Sequence, residues 1–122
     1  MKVLLINPGA APQVHEIEHT LKAMQEVVGG TIEAFYPFED TVALVCNDEG
    51  KLLSLPLNRA IRDPATGQIL DIIAGTFFIC GLSEDDFASL SDEQIQRYIQ
   101  IFRHPEAFIQ SDSQIVILQV EE

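Results

Sequence analysis

The sequence predicts an α+β domain with two main helices packed on a mixed or antiparallel sheet of about five to seven strands. Short apolar runs rich in β-branched residues recur between turn residues, which is typical of strands. Two other segments have apolar residues at helical spacing behind an N-cap residue. The 122 residues, 47% of them hydrophobic, suffice for one core, so we expect residues 1–122 to form a single domain.

The amino-terminal segment predicts a buried strand and then an ambiguous stretch. Val3–Ile6 is apolar without alternation, which indicates a strand buried on both faces. Gln13–Glu18 suits a strand, whereas its apolar residues also fit one long helix over 12–28. We favour the strand, because His15 and Ile17 suit one of its faces.

The next signals predict a helix and two strands. Thr20 is a good N-cap residue, and Gly29-Gly30 suits the left-handed end of a helix. Apolar and polar residues then alternate over Thr31–Tyr36, as in a half-buried strand. Val42–Cys46 is predicted as the following strand.

The middle of the chain mixes turn residues with apolar runs. Residues 47–50 are typical of a hairpin turn, which predicts a returning strand at Lys51–Leu53. Pro56–Gly67 is predicted as a loop with one helical turn at Asn58–Ile61, since Pro64 and Gly67 interrupt it.

The most hydrophobic run is Ile69–Cys80, which predicts buried strand structure. Gly75 interrupts it and indicates a bulge or a close backbone approach. Cys46 and Cys80 each lie inside an apolar run, the usual place of a buried free thiol. A disulfide between them is the less favoured alternative.

The last third predicts helix starts and a closing strand. Ser83 with Asp86 resembles a capping box, and Ser91 with Gln94 forms a second one. The second box opens a helix whose apolar stripe comprises Ile95, Tyr98, Ile99 and Phe102. Alternation over Gln114–Val120 predicts the final strand, whose exposed edge could pair between subunits.

The chain is strongly acidic, with 19 acidic and 7 basic residues and a net charge of −12. Nucleic-acid binders need a basic surface, so direct binding to nucleic acid is not expected. Imitation of DNA is an alternative, but a domain of roughly 35 Å would have to match about 20 phosphate charges on one face. We favour an acidic surface that aids solubility.

The densest acidic segment lies at the two predicted helix starts, where carboxylates suit the helix dipole. We name it the acidic docking patch, and expect it to meet a protein with a basic surface. It comprises Glu84, Asp85, Asp86, Asp92 and Glu93.

No run approaches the ~20 apolar residues of a membrane span. The apolar start at Val3–Ile6 is also too short for the core of a signal peptide. We therefore expect a cytosolic protein without a membrane partner.

A second candidate site lies in the polar middle of the chain. Two arginines close together there indicate contact with an anion or a small molecule, because arginine binds carboxylates and phosphates in bidentate fashion. The alternative is an internal salt bridge from either arginine to Asp63, Asp71 or Asp48. The candidate binding residues are Asn47, Asn58, Arg59, Arg62 and Asp63.

One motif matches the zinc-hydrolase pattern H-E-x-x-H through His15, Glu16 and His19. The pattern needs a buried helix and a third ligand, and neither is indicated here. We favour coincidence, and expect no metal, no cofactor and no catalytic residue. The serines lack the context of a nucleophile as well.

The order of motifs resembles a family known as domain of unknown function 3846, found in small proteins of phages and bacterial mobile elements. The resemblance rests on VGGTIEAFYPF, ALVCNDEGKLLSLPLNRAIRD and DIIAGTFFICGLSEDDFASLSDEQIQRY, and runs from Met1 to about Phe108. It implies a small cytosolic α+β protein without an established activity, and Gln114–Val120 extends beyond it. Positions that match the family pattern are Gly29, Gly30, Asn47, Gly50, Pro56, Asn58, Arg59 and Gly75.

These observations lead to one main functional hypothesis and two alternatives. The main hypothesis is a non-enzymatic protein-interaction module of a phage or mobile element. The first alternative is a binder of small molecules or anions through Asn58, Arg59 and Arg62, and the second is a zinc hydrolase. The oligomeric state is left open by the sequence.

Overall fold

The computed structural model describes residues 1–120 of the chain. Two helices and ten strands form in the order β1 Lys2–Ile6, β2 Gln13–Glu16, α1 Leu21–Val28, β3 Ile32–Phe35, β4 Val42–Asn47, β5 Leu57–Arg62, β6 Ile69–Ala74, β7 Phe77–Leu82, β8 Phe87–Ala88, α2 Asp92–Phe102, β9 Glu106–Ser111 and β10 Gln114–Gln119. The protein is therefore an α+β protein, as predicted.

The central strand β7 organises a six-stranded antiparallel sheet in the order β2-β1-β7-β4-β3, with β8 also paired to β7. Ile79 on β7 lies opposite Leu4 of β1 and Leu44 of β4. Residues 77–80 have no exposed side-chain surface, because both faces of β7 are covered. Burial on both faces explains why this run is continuously apolar rather than alternating. Two separate hairpins, β5–β6 and β9–β10, complete the strands.

A different layer covers each face of the main sheet. Helix α1 covers one face, where Met24 and Val28 pack against Val3, Val45 and Phe78. Helix α2 and the β5–β6 hairpin together cover the other face. Their core contributions are Ile95, Tyr98 and Phe102 from α2 and Ile61 and Ile73 from the hairpin.

Both helices begin where the sequence predicted. The Thr20 hydroxyl accepts a hydrogen bond from the Ala23 amide, and Gly29 closes α1 in the left-handed conformation. Ser91 and Gln94 form both bonds of the capping box that opens α2. The favoured strand at the ambiguous stretch is also confirmed as β2. Neither helix of the described residues is long and apolar enough to cross a membrane.

Two predictions for the middle of the chain are wrong. Lys51–Leu53 forms turns instead of a strand, because β4 already pairs on both edges, with β3 and β7. Asn58–Ile61 lies in strand β5 instead of a helical turn. Both outcomes depend on strand pairing with distant segments, which the local turn residues do not reveal.

Two features of the last third also differ from prediction. Ser83 and Asp86 cap no helix; the Ser83 amide donates to the Asp86 carbonyl in a turn that leads into β8. The pairing of β8 with β7 selects this turn over a helix. Strand β9 was not predicted, whereas β10 confirms the predicted closing strand.

Gly75 separates two strands that belong to different sheets, β6 and β7. Its φ is +83°, and a Cβ at this position would lie 2.7 Å from Cδ1 of Leu55. Glycine suits this position because the positive φ strains residues with a side chain and because an added Cβ would displace the end of the Leu55 side chain. This is the close backbone approach that the sequence indicated.

Gly75→Ala is expected to lower the free energy of unfolding by about 2–3 kcal/mol, because it adds a clash with Leu55 to the strain of a positive φ. Gly9→Ala is the matched control, since Gly9 has φ +73° and no atom within 4 Å of an added Cβ. The control should lose only about 1 kcal/mol. Urea unfolding measures both, and equal losses would contradict the role given to Leu55.

Candidate functional site

Arg59 joins three parts of the fold from a position that is 1% exposed. Its Nη1 donates to Oδ1 of Asn58 at 2.9 Å, and its Nη2 donates to the carbonyls of Ala10 at 2.6 Å and Phe102 at 3.1 Å. Ala10 follows β1, and Phe102 ends α2. Burial lowers the pKa of Arg59, and the negative charge of Glu106 acts in the opposite direction.

Asn58 is also fully buried, and its side chain also binds backbone carbonyls of distant segments. Its Nδ2 donates to the carbonyls of Ile6 at 3.0 Å and Gly75 at 2.9 Å. The amide donors of Asn58 and the Nη donors of Arg59 are thus occupied by carbonyls of the same chain. These bonds give both residues an architectural role in the fold.

Arg62 forms an internal salt bridge, but its partner is Glu106, which the sequence analysis missed. The Arg62 Nη2 to Glu106 Oε2 distance is 2.9 Å, and the Glu106 side chain is only 5% exposed. The other carboxylate oxygen accepts the Ala60 amide at 2.9 Å. Strand β9 is therefore attached to β5 by a charged contact. No local signal marks Glu106, since its role depends on residues more than forty positions earlier.

The three acids predicted as partners of the arginines have other contacts. Asp71 pairs with Lys51 at 2.7 Å, and Asp48 accepts a hydrogen bond from the Thr31 hydroxyl. Asp63 accepts from backbone amides in the β5–β6 turn, including that of Ala65 at 2.8 Å. The predicted pairings were wrong, because chain topology places these acids beside other donors.

Asn47 lies apart from the other predicted binding residues. It ends β4, where its Nδ2 donates to the Val28 carbonyl at 3.2 Å and its Oδ1 accepts the Glu49 amide at 2.8 Å. Asn47 therefore anchors the end of α1 to the main sheet. Of the predicted set Asn47, Asn58, Arg59, Arg62 and Asp63, the two arginines line one small cavity of about 100 Å³, whereas Asn47 and Asp63 line two other cavities.

The structure instead forms a groove of about 600 Å³ between α2, the β3–β4 loop and the β5–β6 turn. Of the predicted binding residues only Asp63 lines it. Its walls combine acidic and apolar side chains and include no serine, cysteine or histidine. We call it the α2 groove, and it is lined by Pro37, Phe38, Glu39, Asp40, Asp63, Pro64, Ala65, Arg97, Tyr98 and Ile101.

Asp40 is the most constrained carboxylate in the α2 groove. It accepts the Tyr98 hydroxyl at 2.7 Å, the Gln94 amide at 3.2 Å and the Thr41 backbone amide at 2.7 Å, and it also pairs with Arg97. Burial alone would raise the pKa of Asp40, but these donors outweigh burial and lower it. Burial and the adjacent Asp40 raise the pKa of Tyr98. Asp40 is therefore held in its ionised form, within an ion pair with Arg97.

All five residues of the acidic docking patch are exposed. Three of them lie in the turn between β7 and β8, and two lie in the first turn of α2. Asp86 is 3.1 Å from Nε2 of His19, and Asp92 is 3.9 Å from Nζ of Lys2. Glu84, Asp85 and Glu93 have no basic partner within ion-pair distance among residues 1–120.

The H-E-x-x-H segment does not form the helix that its zinc interpretation requires. His15 lies on strand β2 opposite Val3, with its Nε2 3.3 Å from Oε1 of Gln13. His19 follows the strand and lies beside Asp86 instead. The two imidazoles therefore do not share a helix face, and within residues 1–120 no group of three potential metal ligands is found.

The two cysteines are buried and free. Burial raises the pKa of Cys46 to about 11 and that of Cys80 to about 12. Thiols of this kind are protonated near neutral pH and are poor nucleophiles. The preferred prediction of buried free thiols is confirmed, and the alternative disulfide is not formed.

Arg59→Lys is expected to lower the free energy of unfolding by about 3 kcal/mol, because a lysine ammonium cannot reach all the carbonyls that the guanidinium serves. Arg103→Lys is the matched control, since Arg103 is exposed and is the C-cap residue that follows α2. The control should change stability by no more than about 0.5 kcal/mol. If urea unfolding showed similar losses of free energy of unfolding for the two variants, the role given to Arg59 would be wrong.

Asp40 should make the free energy of unfolding depend on pH in the acidic range. Its pKa is depressed in the folded protein, so its contribution is complete above the unfolded-state pKa of about 3.9 and is lost as the pH falls through the folded value. Asp40→Asn should therefore lose less free energy of unfolding than the wild type between about pH 6 and pH 3. Arg97→Gln, which removes one donor, should lie between them. If the free energy of unfolding had the same pH dependence in the wild type and in Asp40→Asn, the role given to Asp40 would be wrong.

Comparison with known proteins gives one match. The family described as Domain of unknown function (DUF3846) matches residues 1–103, which extend from β1 to the end of α2 and leave out the β9–β10 hairpin. No curated protein and no solved structure matches the chain. Since the match covers most of the sequence, the chain belongs to the DUF3846 family.

Proposed function

We propose that this protein is a non-enzymatic interaction module that binds a protein with a basic surface through the acidic docking patch. The observation that carries the proposal is the exposure of all five patch carboxylates, three of them without a basic partner among residues 1–120. In a chain of net charge −12, they form a concentrated field for a basic partner. Such complementarity accelerates association and excludes acidic competitors.

The α2 groove extends this binding surface. Helix α2 carries the patch residue Glu93 in its first turn and the groove residue Arg97 one turn later. Exposed ion pairs contribute only ~0.2–1 kcal/mol each, so charge alone gives weak binding. Apolar contact with Phe38 and Ile101 would add the hydrophobic burial that a stable complex requires. We infer that the preferred partner presents basic residues next to an apolar side chain.

The family resemblance supports an inference about the setting of this interaction. Membership of the family assigns no activity, but the resemblance is to cytosolic proteins of phages and mobile elements. We therefore infer a cytosolic partner encoded by the host or by the element. The anion-binding alternative is weakened because the Asn58 amide and the two Nη groups of Arg59 donate to carbonyls of the chain, and the zinc alternative is weakened because His15 lies on a strand.

The test compares two triple variants of equal net charge. The patch variant is Glu84→Lys, Asp85→Lys and Glu93→Lys. The control is Glu18→Lys, Glu26→Lys and Glu33→Lys, at exposed sites on other elements. Each substitution changes the charge by two, so both variants shift from −12 to −6. Thermal unfolding checks that both are folded.

Immobilised wild-type protein and both variants are exposed to host lysate, and each captured protein is then purified and titrated. The patch variant should bind each genuine partner at least about tenfold more weakly, as three exposed ion pairs together allow, while the control binds like the wild type. Raising the salt from about 50 to 300 mM should release the partner. Equal binding by the two variants, or binding indifferent to salt, would sink the proposal.

A further inference from the structure

The outer edge of β10 offers unpaired backbone groups. Its hairpin with β9 closes through a two-residue turn between Ser111 and Gln114, and the Val120 amide donates to the Pro105 carbonyl at 2.7 Å. In this register residues 114, 116 and 118 direct their backbone groups toward β9. The amides and carbonyls of Ile115, Ile117 and Gln119 therefore point away from it. Among residues 1–120, β9 is the only strand that pairs with β10.

Within the part of the chain that the structure describes, this edge lacks the protection that natural edge strands carry. Proteins block free edges with charged residues, proline, bulges or a covering element. The six residues of β10 read QIVILQ and contain no charge, no proline and no glycine. The chain as a whole has a net charge of −12. Because this free edge carries no charge, it is suited to pairing with another strand.

One face of the hairpin is apolar and open as well. Ile109 is 52% exposed, Val116 45% and Leu118 50%, and Ala107 completes this face. Cross-strand pairs place Ile109 beside Val116 and Ala107 beside Leu118. No charged side chain belongs to these pairs, so the face and the edge form one continuous uncharged surface.

We propose that β10 pairs antiparallel with β10 of a second copy of this chain, joining the two hairpins into a four-stranded sheet. A two-fold axis at Ile117 places Ile115 opposite Gln119 of the second copy and forms about six backbone hydrogen bonds. Val116 then lies opposite Leu118 of the second copy. On the face that carries Val116 and Leu118, each row across all four strands consists of Ala107, Leu118, Val116 and Ile109 and contains no charged residue.

A second copy fits this surface better than the basic partner of the acidic docking patch. The strand offers no carboxylate to a basic protein, and pairing with a second copy sets Val116 opposite Leu118 on the apolar face. The acidic surfaces of two copies repel each other, so electrostatic repulsion is weakest where the uncharged edges meet. A strand of six residues spans ~20 Å, which buries less than the ~800 Å² per partner of a standard interface. The dimer is therefore transient and depends on concentration.

The dimer responds to salt in the direction opposite to the proposed function. Salt screens the repulsion between two acidic copies and strengthens their association, whereas it weakens binding to a basic partner. The two surfaces share no residue. A failure of the dimer therefore leaves the docking proposal intact, and the reverse holds as well.

Sedimentation velocity on the full chain between about 1 and 300 µM covers the range of transient dimers. The dimer fraction should rise with concentration and with salt. A monomer throughout this range, or a dimer that dissociates as salt rises, would overturn the proposal.

Paired charge variants test the antiparallel register. Val116→Glu with Leu118→Glu sets like charges opposite each other across the two-fold axis, and should raise the dimer Kd at least about tenfold. Val116→Lys with Leu118→Glu sets opposite charges there, and should keep the Kd within about threefold of wild type. Circular dichroism and thermal unfolding confirm that both variants are folded. Equal Kd values for the two variants would exclude this register.

A backbone variant tests the edge without adding charge. Ile115→Pro removes an amide that faces outward and none that binds β9, so the hairpin should persist while the dimer weakens at least about tenfold. Ile115→Ala loses most of the same side chain but keeps the amide, and should dimerise nearly like the wild type. Equal weakening by the two substitutions would show that the strand edge does not mediate dimerisation.

Discussion

The fold depends on the buried side chains of two consecutive β5 residues, Asn58 and Arg59. Together they bind the backbone carbonyls of Ile6, Ala10, Gly75 and Phe102. A buried guanidinium without such partners would cost several kcal/mol, so arrangements of the chain that break these bonds are strongly disfavoured. This requirement fixes β1, the link between β6 and β7, and the end of α2 against the β5–β6 hairpin.

The α2 groove follows from that constraint. Because Arg59 holds the carboxyl end of α2, the face of α2 that carries Tyr98 lies over the β3–β4 loop, where Asp40 collects its donors. The groove wall formed by the β5–β6 turn depends on the same hairpin. The charge that Asp40 presents is therefore positioned by a contact elsewhere on α2, which links a fold requirement to a surface property.

Elements whose signals lie within a few residues could be predicted from the sequence. Predictions failed for segments whose structure is decided by strand pairing with distant residues. Thr20 and the Ser91–Gln94 box mark helix starts within a few residues, so α1 and α2 were predictable. Strand β5 was not, because the partners of Asn58 and Arg59 lie 17 to 52 residues away and flanking turn residues imitate a loop. The groove around Asp40 and the role of Glu106 likewise arise only when distant segments meet.

The two proposed surfaces have opposite electrostatic character, and this couples them. Glu106 ties the β9–β10 hairpin to β5, so the uncharged edge is carried by the same body as the acidic docking patch. If both proposals hold, a basic partner bound at the patch would offset part of the negative charge of each copy and so reduce the repulsion between two copies. Dimer formation would in turn concentrate negative charge and attract a basic partner more strongly. Because such coupling is reciprocal, the two binding events should strengthen each other in low salt.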